Sequence, residues 1–239
     1  MAFGFRFPDD TKRTVIIGRT GSGKSQAGAW LLSHLSINRI PWIVFDYKNE
    51  ELLNAIPFVQ HLALGAALPD KPGVYLVKPR VETDDDAVEN LMLQIWEREN
   101  CGVFIDELYM IGNTTSLRLL LTQGRSKHIP FIGLTQRPKW VSKFVFSEAN
   151  FMQIFWLNDS DDRKAIERYL PEDRGGESVY RRLPDYYSLW YDIDRDRLLT
   201  LEPVPDSRAI LDGFARRLAP KQENVESANE NRTPLFRFL

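Results

Sequence analysis

Gly18, Gly21, Gly23, Lys24 and Ser25 fall within the string VIIGRTGSGKS, Val15 to Ser25, and their types and spacing suit the holding of phosphate. Glycines take backbone conformations closed to other residues, so main-chain amides over Gly18, Arg19, Thr20, Gly21, Ser22, Gly23, Lys24, Ser25 and Gln26 can turn toward phosphate oxygens. A lysine placed like Lys24 reaches the terminal phosphates, and the adjoining Ser25 hydroxyl is the usual ligand of a phosphate-bound Mg2+. The alternative is a glycine-rich turn that merely opens a helix. A β-branched run before the glycines and a helical pattern after them, Lys24 to Leu35, favour the phosphate site, with the positive end of the helix aimed at the ligand.

A second string, CGVFIDELYMIG, ends an apolar run on two adjacent acids, Asp106 and Glu107. The first suits Mg2+, and the second suits the polarising of a water that attacks the γ-phosphate. A chance pair of acids at a strand end is the alternative. A built-in base of this kind favours an ATPase over a switch that borrows its water-positioning group. Farther on, LLLTQGRSKHIPFIGLTQRPKWV places Gln136 at the end of another apolar run, where an amide can touch both γ-phosphate and water. Arg125 in the same string is a candidate finger for a neighbouring subunit's phosphate. Taken singly, a turn glutamine and a surface arginine are the plain readings.

These residues need elements to carry them. Short β-branched or aromatic runs recur at 14–17, 42–46, 73–77, 102–106, 130–135 and 151–157, separated by helical patterns at 84–99, 114–123 and 159–170. Runs without strict alternation suit strands covered on both faces, so the expectation is an α/β fold with a mostly parallel central sheet flanked by helices. After Pro171 the segment YRRLPDYYSLWYDIDRDRLLTLEPV predicts a β-hairpin, with aromatics paired across a turn near Asp194. A helix over 206–218 follows. Residues 219–239 read as a polar, flexible linker ending in the apolar pentapeptide LFRFL. The division expected is one domain over 1–218, with its core at 14–170 and a β extension at 171–205.

Of 239 residues, 43% are hydrophobic and 27% charged, which supports an ample core. A single cysteine, Cys101, excludes an internal disulfide and reads as a small apolar residue beside a strand. No run has the length and apolarity of a bilayer span, and MAFGFRFPDD lacks the layout of a secretory signal, so no direct membrane insertion is expected. A net charge of −2 provides no global basic field, and any nucleic-acid contact must be local.

Taken in order, the motifs resemble the FtsK/HerA superfamily of P-loop motor ATPases. GRSKHIPFIGLTQRP is similar to that superfamily's GR…I…TQRP segment after the acidic strand. FSEANFMQIFWLNDSDDRKAIERYL resembles its ANxxxxIxFxVxxxxDxRxIL stretch, with Arg163 at the recurrent arginine. WIVFDYKNE resembles DxKGE, with Asn49 where glycine is common. The resemblance covers about Thr14 to Leu170 and implies a RecA-like (ASCE) P-loop NTPase using ATP and Mg2+. A compact motor without large insertions is most similar to the genome-packaging ATPases of internal-membrane icosahedral bacteriophages and related viruses. The implied function is pumping of double-stranded DNA into a preformed capsid, in the host cytoplasm and at the packaging vertex of the virion.

The resemblance also implies a homo-oligomeric ring, a hexamer, with ATP between subunits and Arg125 or Arg163 supplied in trans. Portal or vertex proteins would be its partners. The loop after Gln136, RPKWVSKF, offers Arg137, Lys139 and Lys143 as contacts to DNA phosphates without sequence preference, or is simply a solvated basic loop. Lys12 and Arg13 form a lesser basic patch. FGFRF and LFRFL read as aromatic-basic pieces outside the core, the second a candidate anchor on a neighbouring subunit or a vertex protein, or on its own domain. An extrusion or conjugation motor, a monomeric P-loop kinase with a lid around Gly175-Gly176 and Arg181-Arg182, and a non-catalytic scaffold remain as alternatives.

Overall fold

The computed structural model describes residues 5–171 and 183–220. Six strands carry the architecture expected: β1 (Arg13–Ile17), β2 (Pro41–Phe45), β4 (Gly73–Val77), β5 (Gly102–Ile105), β6 (Phe131–Thr135) and β7 (Phe151–Ile154). All are parallel where they pair with one another, and every one of their residues is buried. That burial on both faces is why the strands read as continuous apolar runs. Alternation still sorts the side chains: Val15 and Ile17 join one apolar cluster and Ile16 the other.

The first cluster is covered by helices α3 (Asp85–Arg98), α4 (Thr115–Gln123), α5 (Lys143–Ser147) and α6 (Ser160–Glu167). The second is covered by α1 (Lys24–His34), α2 (Glu51–Asn54) and α7 (Ser207–Leu218), and Leu31, Leu32, Ile210 and Phe214 all belong to it. Local signals fix the helix starts. Thr114, Asp159 and Asp206 each accept a backbone N–H with the side chain at the head of α4, α6 and α7.

Beyond β7 the sheet turns antiparallel through β8 (Ser188–Asp192) and β9 (Arg197–Leu201), the hairpin the sequence predicts. Its turn runs through Ile193–Arg195 and closes on Asp196 in the left-handed region. The aromatics do not pair with each other, because the register sets Trp190 against Leu199 and Tyr191 against Leu198. Sequence reading misses α2, α5 and the two-residue edge strand β3 (Gln60–His61), all too short for their period to repeat twice. The full order is β3-β4-β2-β5-β6-β1-β7-β8-β9. It sets β1 between β6 and β7, and β5 between β2 and β6, so the loops leaving β1, β2, β5, β6 and β7 converge at one end.

No helix among the described residues is long and apolar enough to cross a membrane. Cys101 is buried and free, and burial pushes its thiol up to about 12, which keeps it protonated and unreactive. The described part of FGFRF docks on its own sheet and helix. Phe5 packs against Trp190 and Trp30, Phe7 stacks on His34, and Arg6 pairs with Asp192 at 3.0 Å. Lys12 and Arg13 present no basic patch, because Lys12 pairs with Asp194 at 2.6 Å and buried Arg13 donates to Glu148 O at 2.6 Å. LFRFL, Gly175-Gly176 and Arg181-Arg182 lie outside the described residues.

Candidate nucleotide site

The chain leaving β1 is fixed before it turns. Gly18 N–H donates to Thr135 O of β6, and Arg19 N–H to Trp156 O beyond β7, so both neighbouring strands hold the loop. A side chain on Gly18 would stand 2.5 Å from Ser22 Oγ and 2.7 Å from Phe155 Cβ. Gly23 caps α1 with a φ of 93°, a conformation that costs glycine nothing. Lys24 follows and is only 4% exposed.

Asp106 and Glu107 sit just past β5, both fully buried. Ser25 Oγ lies 3.4 Å from Asp106 Oδ1, while Lys24 Nζ lies 3.6 Å from Glu107 Oε1. The adjacent acids therefore face different partners. Asp106 Oδ2, Glu107 Oε2 and Ser22 Oγ are buried with no hydrogen-bond partner among the described residues. Buried polar atoms without partners are costly, and a carboxylate oxygen beside a hydroxyl suits a hard cation such as Mg2+. Burial pushes the Asp106 carboxyl up to about 6, against the pull of Lys48 and Lys24, and burial likewise depresses Lys24. An entering cation reverses that balance for Asp106.

Lys48 is the site residue that sequence reading missed as a functional group. It donates to Glu107 Oε1 from the loop after β2, adjacent to β5. Asp46, 2% exposed, clasps that loop by accepting the backbone N–H groups of Lys48 at 3.3 Å and Glu50 at 3.0 Å. Asn49 stands at a φ of 57°, the region glycine takes freely and asparagine tolerates. The departure from DxKGE thus keeps the backbone path. The available signal was Lys48 inside that string; what was missing was the adjacency of β2 and β5.

Gln136 reaches the Gly18–Ser25 loop, its Oε1 accepting from Thr20 Oγ1 and its Nε2 donating to Tyr109 OH at 3.1 Å. Tyr109, two residues beyond Glu107, places its ring edge-on to Trp140 at 5.9 Å. A chain of contacts therefore joins the phosphate loop to the loop bearing Arg137, Lys139 and Lys143. Arg137 lies 3.3 Å from Asp162 and 4.5 Å from the Trp140 ring centre, and Lys139 pairs with Asp161 at 2.5 Å. Exposed Lys143 has no ion-pair partner among the described residues. Trp140 is 59% exposed rather than packed away.

The two arginines separate. Arg163 sits at the nucleotide end, donating to Leu157 O at 2.9 Å and Asn158 O at 2.7 Å, so it holds the turn after β7. Arg125 is exposed on the connection entering β6, at the opposite end of the sheet from Gly18–Ser25. Gln26 donates to Pro205 O at 2.7 Å, and Arg19 and Thr20 lie exposed at the mouth of the loop.

No protein-family model matches the chain. It is 37% identical over 215 residues to the DNA packaging ATPase P9 of Enterobacteria phage PRD1, a match covering 87% of this chain and 94% of that protein. The chain belongs to the family of viral DNA packaging ATPases. Solved structures share the fold. The genome packaging NTPase B204 of Sulfolobus turreted icosahedral virus 2, in complex with sulfate, superposes with a TM-score of 0.62 at 19% identity, over 83% of this chain and 99% of that one. Its complex with ATP-gammaS gives 0.59 at 20% identity, over 83% of this chain and 100% of that one. EssC (ATPases 2 and 3) from Geobacillus thermodenitrificans gives 0.57 at 16% identity, over 87% of this chain and 44% of that one. The fold of this chain is thus shared both with the B204 packaging NTPase and with ATPases 2 and 3 of EssC.

Proposed function

We propose that this chain is the ATP-hydrolysing motor that drives double-stranded DNA into a preformed viral capsid, working as a hexameric ring at a packaging vertex. One observation carries the reading in a member of this family: Asp106 and Glu107, side by side past β5, are divided between Ser25 and the two lysines Lys24 and Lys48. Lys24 and the amides of Gly18–Gln26 bind the phosphates. Ser25 and Asp106 would hold Mg2+, whose charge would offset that of the phosphates. Glu107 accepts the proton of the attacking water, and Lys48 keeps its carboxylate aimed. Gln136 reads the γ-phosphate and passes its loss through Tyr109 to the Trp140 loop.

A shared site makes the ring necessary. Arg163 is engaged within its own subunit, whereas Arg125 is exposed and free to enter a neighbour's site, so Arg125 is the better finger. Lys143, with Arg137 and Lys139, contacts DNA phosphates. The Lys139–Asp161 pair is open to water, which screens it and lets phosphate replace the carboxylate. Portal or vertex proteins complete the machine, assembled in the host cytoplasm.

The test is the ATPase rate with and without double-stranded DNA over a range of protein concentration. A ring motor gives DNA stimulation and a specific rate that rises with concentration. A monomeric phosphotransferase gives neither, and that result would remove the motor reading.

A further inference from the structure

The hairpin brings two segments to the phosphate loop that none of the motifs includes. β8 runs antiparallel to β7, so the residues entering it, Leu183 to Tyr187, lie at the end of the sheet where β1 delivers Gly18–Ser25. β9 reverses again and returns Pro203 to Asp206 to the same end. Gln26, in the first turn of α1, donates to Pro205 O and ties the second segment to the phosphate-binding helix.

Tyr186 stands between these segments. A side chain on Gly23 would meet its Cδ1 at 3.2 Å, so the ring lies against the last glycine of the loop. Its backbone has a φ of 65°, a left-handed conformation that bulky residues avoid unless the surroundings impose it. Yet the residue is 58% exposed. A strained aromatic held largely in solvent has no packing reason to be there. Beside it opens a cleft of about 230 Å³ lined by Gly23, Gln26, Phe155, Tyr186, Pro203, Val204 and Asp206, the last of which caps α7 with its carboxylate.

We propose that Tyr186 is the stacking platform for the base of the bound nucleotide, which enters this cleft between the Tyr186 ring and Pro203–Val204. The inference rests on the phosphate-site reading of Gly18–Ser25: a triphosphate seated there emerges over the first turn of α1, where the cleft begins. Flat apolar walls with few polar groups select by stacking area rather than by hydrogen-bond readout. The ligand class is therefore a purine nucleoside triphosphate, with ATP and GTP held alike and CTP and UTP more weakly.

Binding of ATP and of inorganic tripolyphosphate, which has no base, separates the possibilities in full-length wild type, Tyr186→Ala and Tyr186→Phe. Loss of the ring is expected to raise Kd for ATP about tenfold and leave Kd for tripolyphosphate unchanged, with Tyr186→Phe close to wild type in both. Equal weakening of both ligands in Tyr186→Ala, or no weakening of ATP, overturns the platform. Wild type that binds neither ligand overturns the phosphate-site reading, and the platform with it.

Discussion

Lys48 and Glu107 lie 59 positions apart in sequence and share a hydrogen bond across the β2–β5 pair. Glu107 Oε1 also faces Lys24 at 3.6 Å, so one buried carboxylate lies between two lysines. When phosphates draw Lys24 toward themselves, Lys48 is the partner that remains. Glu107→Gln is then expected to bind ATP within a few-fold of wild type and to lose at least about a hundredfold in kcat, the scale of a general base. Lys48→Met should lower kcat by about tenfold at nearly constant ATP affinity. Steady-state kinetics with a separate binding titration checks both.

Tyr109 accepts from Gln136 at 3.1 Å and leans on Trp140. Tyr109→Phe removes the acceptor and keeps the ring. With a net hydrogen-bond worth of about 1 kcal/mol, the rate at saturating DNA should fall about fivefold. ATP affinity should stay put, because Tyr109 bonds to Gln136 and not to the Gly18–Ser25 loop. Retained DNA stimulation in this variant would break the proposed link between Gln136 and the Trp140 loop.

The buried Asp106 carboxyl, raised to about 6, makes metal-free stability depend on pH. The folded protein holds this proton more tightly than the unfolded chain does, so the contribution favours folding below about pH 4 and is lost as pH rises through about 6. Asp106→Asn removes the term. Relative to wild type, the variant should gain of order 2–3 kcal/mol between pH 4 and pH 8 without Mg2+. Denaturant unfolding at several pH values reads it, and added Mg2+ with nucleotide should favour wild type instead.

Arg125 and Arg163 should differ in what their loss affects. Arg163→Ala forfeits two charge-assisted bonds to carbonyl oxygens, the one to Leu157 O partly buried and the one to Asn158 O exposed, and is expected to lower stability by about 1–2 kcal/mol. Arg125→Ala should leave the melting temperature unchanged and abolish turnover. Mixing inactive Arg125→Ala with inactive Lys24→Ala should restore part of the activity, since a mixed ring contains interfaces with both groups intact. Failure of that mixture to recover activity would assign Arg125 to the surface only.

Much of this site was legible because its chemistry is local in sequence. Gly18 to Ser25 form one turn, and Asp106 and Glu107 are neighbours on the chain. The strands over 14–17, 42–46, 73–77 and 102–106 were legible for a related reason: burial on both faces leaves an apolar run that nothing else in the chain imitates. The lesser elements escaped, since β3 and α2 span two and four residues and are held by their neighbours rather than by a pattern of their own.

The amino-acid sequence by itself determined the phosphate loop, the acidic pair and the alternation of strand and helix, since each depends on residues within reach of one another along the chain. Strand order decided the rest. Lys48 joins Glu107 because β2 lies beside β5, Gln136 meets Thr20 because β6 lies beside β1, and Tyr186 lies against Gly23 because β8 enters the sheet antiparallel beside β7. Such pairings follow from which strands neighbour one another in a packed sheet, a choice settled by burial of the whole core that no short stretch of residues records.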